Sequence, residues 1–198
     1  MPHPYAETAR TVLTRDGRHP LVALFAFVQA LPYRWPGPRD AAHTLEHGWG
    51  TCSGKNYLLA ELLAAAGVPC AHTLVTGDLA TDPPDVPWAL RTLLDAGPLP
   101  DVHSALTAIG PCGPVTVDAS WDPPLARLGF RVAGGWQGET DTPLAIVPTA
   151  VYAVSGSDPT AEKELLRARV FGVRPELLER RNHYLQLLSD WIAAERET

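Results

Sequence analysis

Residues 48–69 constrain the fold of this chain more than any other part of the sequence. Cys52 stands among small residues, directly ahead of an apolar run in which leucine and alanine recur at helical spacing. Thr51 is a suitable N-cap for a helix that begins there. Gly67, with a proline two residues later, is a suitable stop. The pattern predicts a helix that ends at Ala66, with one buried face and a thiol in its first turn.

That position has chemical consequences for the thiol. The first turn of a helix has unpaired backbone N–H groups and the positive end of the helix dipole, and both favour the thiolate form of Cys52. Downstream, His103 and Asp118 lie on two strand-like segments joined by turn-forming residues. If these segments pair as a hairpin, the two side chains stand together on one face. Asp122 is a rival acid, but Asp118 directly follows the alternating residues 115–117.

A cysteine, a histidine and an acid can act as nucleophile, base and orienting group. The sequence therefore predicts a cysteine acyl-transfer enzyme or hydrolase. The oxyanion of its reaction would accept a hydrogen bond from the Cys52 backbone N–H. Tyr33 is the favoured side-chain donor, and the alternatives are Gln29, Trp35 and Trp49. Trp136, which lies in a glycine-rich loop, is a candidate for the rim of the cleft.

The predicted elements fall into three groups along the chain. Helices are predicted over residues 5–16, 20–31, 40–46, 86–96, 160–170 and 175–195. Strands are predicted over residues 70–76, 102–109 and 115–119, with weaker candidates at 130–132 and 144–154. Helices followed by strands and then by helices indicate the α+β class. A length of 198 residues without a dividing linker indicates one domain, 1–198.

The composition of the chain argues against several classes of function. A net charge of −6 argues against nucleic acid or a membrane surface as a partner. The longest apolar stretches, residues 21–28 and 58–68, are too short to span a bilayer, and no signal pattern opens the chain. Three cysteines do not suggest a disulfide framework, so a cytoplasmic protein is expected. Lysine occurs only at positions 55 and 163, which we interpret as a base-composition bias without functional content.

Two blocks of the sequence resemble the transglutaminase-like superfamily. Residues 50–69 resemble its nucleophile block, Gly-x-Cys followed by an apolar helix and Gly-Val-Pro. Residues 117–123 resemble its acid block, an apolar residue followed by Asp-Ala-Ser-Trp. His103 lies where the family has its histidine, on the preceding strand. The resemblance covers about residues 20–125, whereas residues 126–198 carry no motif of the family.

The resemblance implies a bacterial-type, single-domain member with a papain-like core. In that core the helix that carries Cys52 packs on an antiparallel sheet, flanked by N- and C-terminal helices. It implies Cys52 as nucleophile, His103 as general base and Asp118 as orienting group, with no cofactor or metal. The substrate would be a peptide or small amide, attacked to give a thioester. Ser104 follows His103 where the family often has an aromatic residue, and no calcium-binding module accompanies the core. Hydrolysis is therefore expected rather than protein cross-linking.

Three alternatives remain open at this stage. The fold could serve as a catalytically silent binding module. An arylamine N-acetyltransferase-like enzyme would use the same chemistry with acetyl-coenzyme A, but its Arg-Gly-Gly-x-Cys signature differs from residues 48–52. His43 and His47 share a helix face near Cys52 and could form a zinc site, although CxxC and HExxH patterns are absent. The oligomeric state is left open.

Overall fold

A computed structural model describes residues 4–156 and 158–196 of the chain. The α+β class is confirmed, with helices on a curled antiparallel sheet. The described elements, in chain order, are α1 (Pro4–Arg15), α2 (Pro20–Gln29), α3 (Ala41–His47), α4 (Cys52–Ala65), β1 (Cys70–Asp78), α5 (Trp88–Asp95), β2 (Pro100–Gly110), β3 (Gly113–Val117), a short 3₁₀ helix (Pro123–Leu128), β4 (Pro148–Ala153), α6 (Pro159–Phe171) and α7 (Pro175–Arg196).

The four strands form one sheet in the order β3-β2-β1-β4, and every neighbouring pair is antiparallel. The β2–β3 hairpin pairs Leu106 with Val117 and closes at Gly110 and Gly113. Asp118 follows β3 directly, so the hairpin brings it back beside the first half of β2. This register is what allows the carboxylate to meet a side chain 15 residues earlier in the sequence.

Helix α4 is the centre of the fold. Thr51 caps it as predicted, because its hydroxyl accepts a hydrogen bond from the Gly54 N–H at 3.3 Å. Nearly every residue of α4 is buried, since α1, α2 and α3 pack around it and β2 covers its sheet side. A side chain at Gly54 would collide with the Pro38 carbonyl and with Thr44. That close approach requires a glycine two residues after the cysteine and fixes the start of α4 in the core.

The two weaker strand predictions have different outcomes in the structure. Residues 130–132 form no strand, because Phe130 is buried by ring contacts with Trp121 at 4.7 Å and Trp191 at 6.0 Å rather than by strand pairing. The prediction for 144–154 holds only for its second half, where β4 pairs with β1 as an edge strand. None of the described helices combines the length and the apolar character that crossing a bilayer requires.

Candidate active site

Cys52 is the first residue of α4 and is half-buried at a pocket wall. The pocket is bounded by the start of α4, by the loop before α3 and by α6 and α7. Its lining residues are Tyr33, Trp35, Arg39, Thr51, Cys52, Ser53, Tyr57, Asp101, Thr160, Lys163, Glu164, Arg167, Arg181 and Leu185. The cavity measures about 50 Å³. Thus the thiol faces a small and partly enclosed space whose lining includes several charged side chains.

The structure brings His103 and Asp118 together with the thiol. His103 Nε2 lies 2.6 Å from Asp118 Oδ2, and both side chains are almost completely buried. His103 and Cys52 lie close enough for each to shift the pKa of the other. Because Nε2 is engaged by the carboxylate, Nδ1 is the ring nitrogen that remains for a proton exchange with the thiol. The three residues of the sequence hypothesis therefore lie close together.

The charges in this cluster support one another. Burial raises the pKa of Cys52, but the positive charges of Lys163 and His103 and the hydrogen bond to His103 outweigh burial and lower it to about 6. Burial lowers the pKa of His103, and the charges of Asp118 and Cys52 outweigh that effect and raise it to about 10. The pKa of Asp118 is held far below its usual range: burial opposes this, but the charge and hydrogen bond of His103 prevail. Near neutral pH the arrangement favours a thiolate beside an imidazolium.

Asp118 is held in place by several donors. Its Oδ2 also accepts from the Ala145 N–H at 2.8 Å, and its Oδ1 accepts from the Ser120 hydroxyl at 2.5 Å. Asn56 donates from Nδ2 to Asp118 Oδ1 at 3.1 Å, and its Oδ1 accepts from the Ala119 N–H at 3.0 Å. Sequence reasoning missed Asn56. Its signal was its position four residues after Cys52, one helical turn along the same face.

Lys163 is the second residue that sequence reasoning missed. It lies on α6 and reaches into the pocket, with 7% of its surface exposed. Its Nζ donates to Ser53 Oγ at 2.8 Å and to Ser104 Oγ at 3.0 Å, and lies 3.9 Å from Cys52 Sγ. This ammonium group therefore lies beside the sulfur at the start of α4. It adds a positive charge to the one that His103 supplies.

Lys55 is buried completely beneath the site. Its Nζ donates to three backbone carbonyls: Gln29 O at 3.1 Å, Leu31 O at 2.7 Å and Ser120 O at 2.8 Å. Burial lowers the pKa of Lys55 to about 7, against the charges of Asp122 and Asp118. The side chain ties two segments that are distant in sequence, residues 29–31 and Ser120, to the first turn of α4. No functional role for the two lysines follows from the sequence, whereas the structure buries both of them at this site.

Of the predicted cleft residues, Tyr33 and Trp35 line the pocket. Burial, followed by the nearby negative charge of Cys52, raises the pKa of Tyr33 well above its ordinary value, so its hydroxyl remains a donor. The structure does not bring Trp49 and Trp136 into the pocket. Trp49 packs against His47, and Trp136 packs edge-on against Phe25 of the core at 4.7 Å.

The rival acid Asp122 has different partners. Its Oδ1 accepts from the Tyr33 backbone N–H at 2.9 Å and pairs with Arg196 at 2.5 Å. It therefore anchors the backbone of the pocket loop and the end of α7. Gln29, the remaining candidate donor, is buried and its backbone carbonyl binds Lys55.

The other cysteines and the histidine pair have ordinary surroundings. Burial, with the charge of Glu61, raises the pKa of Cys70, and Cys112 is exposed on the β2–β3 turn. His43 Nδ1 bonds Asp40 at 2.8 Å, and His47 Nδ1 bonds the His43 carbonyl at 2.8 Å. Over residues 4–156 and 158–196, no group of three or more potential metal-binding side chains is found.

No protein-family model matches this sequence. No curated protein matches it either. Among solved structures, the chain is similar to a "putative cysteine protease" from Cytophaga hutchinsonii, with 16% sequence identity and a TM-score of 0.43. The comparison covers 77% of this chain and 45% of that chain. This chain thus spans less than half the length of that protein.

Proposed function

We propose that this chain is a cysteine-dependent hydrolase or acyl transferase that acts on peptide or small amide substrates through a thioester. The proposal rests on one observation: Cys52 lines a pocket, and His103 and Asp118 form a buried pair beside it that shifts the charge state of the thiol. The motif resemblance to the transglutaminase-like superfamily supports the same chemistry. Hydrolysis is favoured over protein cross-linking because the cavity is small.

In the first half-reaction the Cys52 thiolate attacks the carbonyl carbon of the amide. The oxyanion that forms accepts hydrogen bonds from the Cys52 backbone N–H, which belongs to the unpaired first turn of α4, and from the Tyr33 hydroxyl. The His103 imidazolium then gives its proton to the leaving nitrogen. The C–N bond breaks, the amine departs, and the acyl group remains on sulfur as a thioester.

In the second half-reaction neutral His103 takes a proton from water as the water oxygen attacks the thioester carbonyl. Collapse of the tetrahedral species expels the Cys52 thiolate and releases the carboxylic acid. The thiolate and imidazolium are thereby restored. Asp118 stays ionised throughout, holding the imidazole through Nε2 and leaving Nδ1 for the proton exchange.

The proposal is tested with electrophilic amide probes, reading the modified residue by mass spectrometry of peptides. We expect Cys52 to be acylated near neutral pH far faster than Cys70 or Cys112, because its pKa is lowered to about 6. Cys52→Ala should remove both the adduct and any hydrolysis of the amide, with the fold intact. Cys112→Ala is the matched control and should leave both unchanged. Equal, slow labelling of all three cysteines would contradict the proposal.

A further inference from the structure

The pocket carries more positive than negative charge. Its wall on α6 presents residues at helical spacing, so one face of that helix points at the sulfur. Two carboxylates line the pocket, Asp101 and Glu164. The cationic side chains that line it are Arg39, Lys163, Arg167 and Arg181. Cations therefore outnumber carboxylates by two in a space of restricted size, where charge acts more strongly than in open water.

Both carboxylates are already engaged. Asp101 forms a buried pair with Arg181, whose Nη2 and Nε donate to Asp101 Oδ1 at 2.6 and 2.9 Å. Glu164 is shared, because Arg167 donates to both of its oxygens at 2.8 and 2.9 Å while Arg39 lies 3.9 Å away. Two carboxylates thus serve three guanidinium groups, and the ammonium of Lys163 is left over.

Lys163 lies beside the reacting sulfur. Its nitrogen is bonded to two hydroxyls and lies 3.9 Å from the thiol of Cys52. Among the described residues, no carboxylate lies within ion-pairing distance of it. A lysine ammonium that is buried without a carboxylate is costly unless something else supplies the negative charge. The thiolate supplies part of it, and an anionic group on a substrate would supply more.

Arg167 provides a second, independent observation. One of its guanidinium nitrogens, Nε, is buried and has no hydrogen-bond partner in the described part of the chain. A buried donor without an acceptor costs about 1–3 kcal/mol. Arg167 lies four residues after Lys163 on α6, on the same helix face and in the same pocket. Arg167 therefore adds a second positive charge to the pocket wall beside Lys163, while its Nε is closed off from the cavity.

The dimensions of the pocket limit the kind of substrate that can carry this anionic group. A carbonyl carbon under attack lies about 3–3.5 Å from the sulfur. The Lys163 nitrogen lies 3.9 Å from the sulfur, so a carboxylate bound to it is separated from the carbonyl by few bonds. The cavity of about 50 Å³ accepts only a few non-hydrogen atoms. Both limits favour a short acyl group over a polypeptide segment.

We propose that the pocket selects amide substrates whose short acyl group carries a carboxylate, with the ammonium of Lys163 as the partner of that carboxylate and the guanidinium of Arg167 as a second positive charge in the pocket wall. This inference rests on the proposed function, since it names the substrate class for the same thiol. Lys163 and Arg167 are specificity residues in this scheme, and Cys52 and His103 perform the bond changes.

The test compares two alkylating reagents that differ in charge. Iodoacetate and iodoacetamide both alkylate a thiolate at their methylene carbon with loss of iodide, adding a carboxymethyl and a carbamoylmethyl group respectively, and only iodoacetate carries a carboxylate. The measured quantity is the ratio of the iodoacetate rate to the iodoacetamide rate at each cysteine. This ratio cancels the thiolate fraction. Exposed Cys112 is the internal reference. We expect the ratio at Cys52 to exceed that at Cys112 by about tenfold at low salt and to fall as salt is added.

Variants assign the effect to the two residues. Lys163→Met should lower the ratio at Cys52 about tenfold, toward the Cys112 value, and Lys163→Arg should keep most of it. Arg167→Gln should lower it less and serves as the second test if Lys163→Met fails to fold. Arg169→Gln is the matched control, because Arg169 is exposed on the same helix and lines a different surface. A ratio at Cys52 no higher than at Cys112 in the unaltered protein, or one unchanged in both pocket variants, overturns the proposal.

The two proposals fail in different ways. Turnover of glutaryl 4-nitroanilide is measured beside that of butyryl 4-nitroanilide, which has the same anilide and no carboxylate. A high alkylation ratio without turnover of any amide would contradict the proposed function and support the proposed anion site. If the neutral anilide is turned over at the same rate as the acidic one and the alkylation ratio is low, the proposed cysteine chemistry is supported and the proposed anion site is contradicted.

Discussion

The two lysines of this chain both lie at the start of α4 and have different partners. Lys55 is part of the floor, by which we mean the first turn of α4 and residues 118–122. Lys163 is part of the wall formed by α6. Lys55 donates to three backbone carbonyls, whereas Lys163 donates to two side-chain hydroxyls and faces the thiol. An amine bound to backbone holds segments together, whereas an amine beside a nucleophile changes that nucleophile's charge state.

The difference between the two lysines indicates that the floor and the wall of the site have different roles. The floor sets geometry, because Lys55 and Asn56 fix the segment that carries Asp118. The wall sets electrostatics, because Lys163 contributes to the lowered pKa of Cys52 and leaves most of the fold untouched. Changes in the floor should therefore affect turnover and stability strongly, and changes in the wall should affect reactivity with little loss of stability.

The largest effect is expected from Asp118→Asn in the floor. The charge of Asp118 is the strongest influence that raises the pKa of His103, so its loss removes the imidazolium that accompanies the thiolate. Turnover of an amide should fall by about 10³-fold or more. The measurement is kcat/KM with the 4-nitroanilides, beside Asp141→Asn as a control on the exposed loop. Retention of most activity would mean that the floor does not orient the base.

Lys55→Met should cause the largest loss of stability. The change leaves three buried carbonyls without their donor, and we expect the free energy of unfolding to drop by about 3 kcal/mol. Urea denaturation followed by circular dichroism measures this. A loss below about 1 kcal/mol would show that water or a local shift satisfies the carbonyls, and the distinction between the two lysines would weaken.

Lys163→Met should change the pH dependence of the thiol. In the unaltered protein the rate of iodoacetamide alkylation at Cys52 should reach half its plateau near pH 6, because the thiol is protonated below that value. Turnover should decline again as pH rises through about 10, where the His103 imidazolium is lost. In Lys163→Met the acid limb of the pH–rate profile for alkylation of Cys52 should move to higher pH. A rise of about one pH unit cuts the thiolate fraction at pH 6 about fivefold.

An acid limb that stays at the same pH in Lys163→Met would assign the lowered pKa of Cys52 to His103 and the helix terminus alone. Lys163→Arg serves as the matched control here, since it keeps the charge and should keep the limb near its original position.

The smallest effect is expected on the stability of the same Lys163→Met variant. Ser53 Oγ and Ser104 Oγ lie 3.3 Å apart and can bond to each other when the amine is removed. The free energy of unfolding should change by less than about 1 kcal/mol. A loss as large as that of Lys55→Met would place Lys163 among the residues that hold the fold, and the two lysines would no longer differ.

Several elements were predictable because their signals are short-range. Thr51, the apolar run after Cys52 and the stop at Gly67 lie within one segment, and the structure has the helix there. The β2–β3 hairpin followed from two alternating runs around a turn. Residues 130–132 were predicted wrongly because the burial of Phe130 comes from rings on distant segments, which local alternation does not reveal.

The sequence by itself determined the helix that presents the thiol and the strands that carry His103 and its acid partner, since turn residues and apolar spacing act over a few positions. Only the tertiary structure decided which cations face the sulfur. Lys163 is 111 residues from Cys52, on a helix without a recognisable motif. Its place depends on how α6 packs against β2 and α7, and such long-range packing sums many weak contacts that no local pattern records.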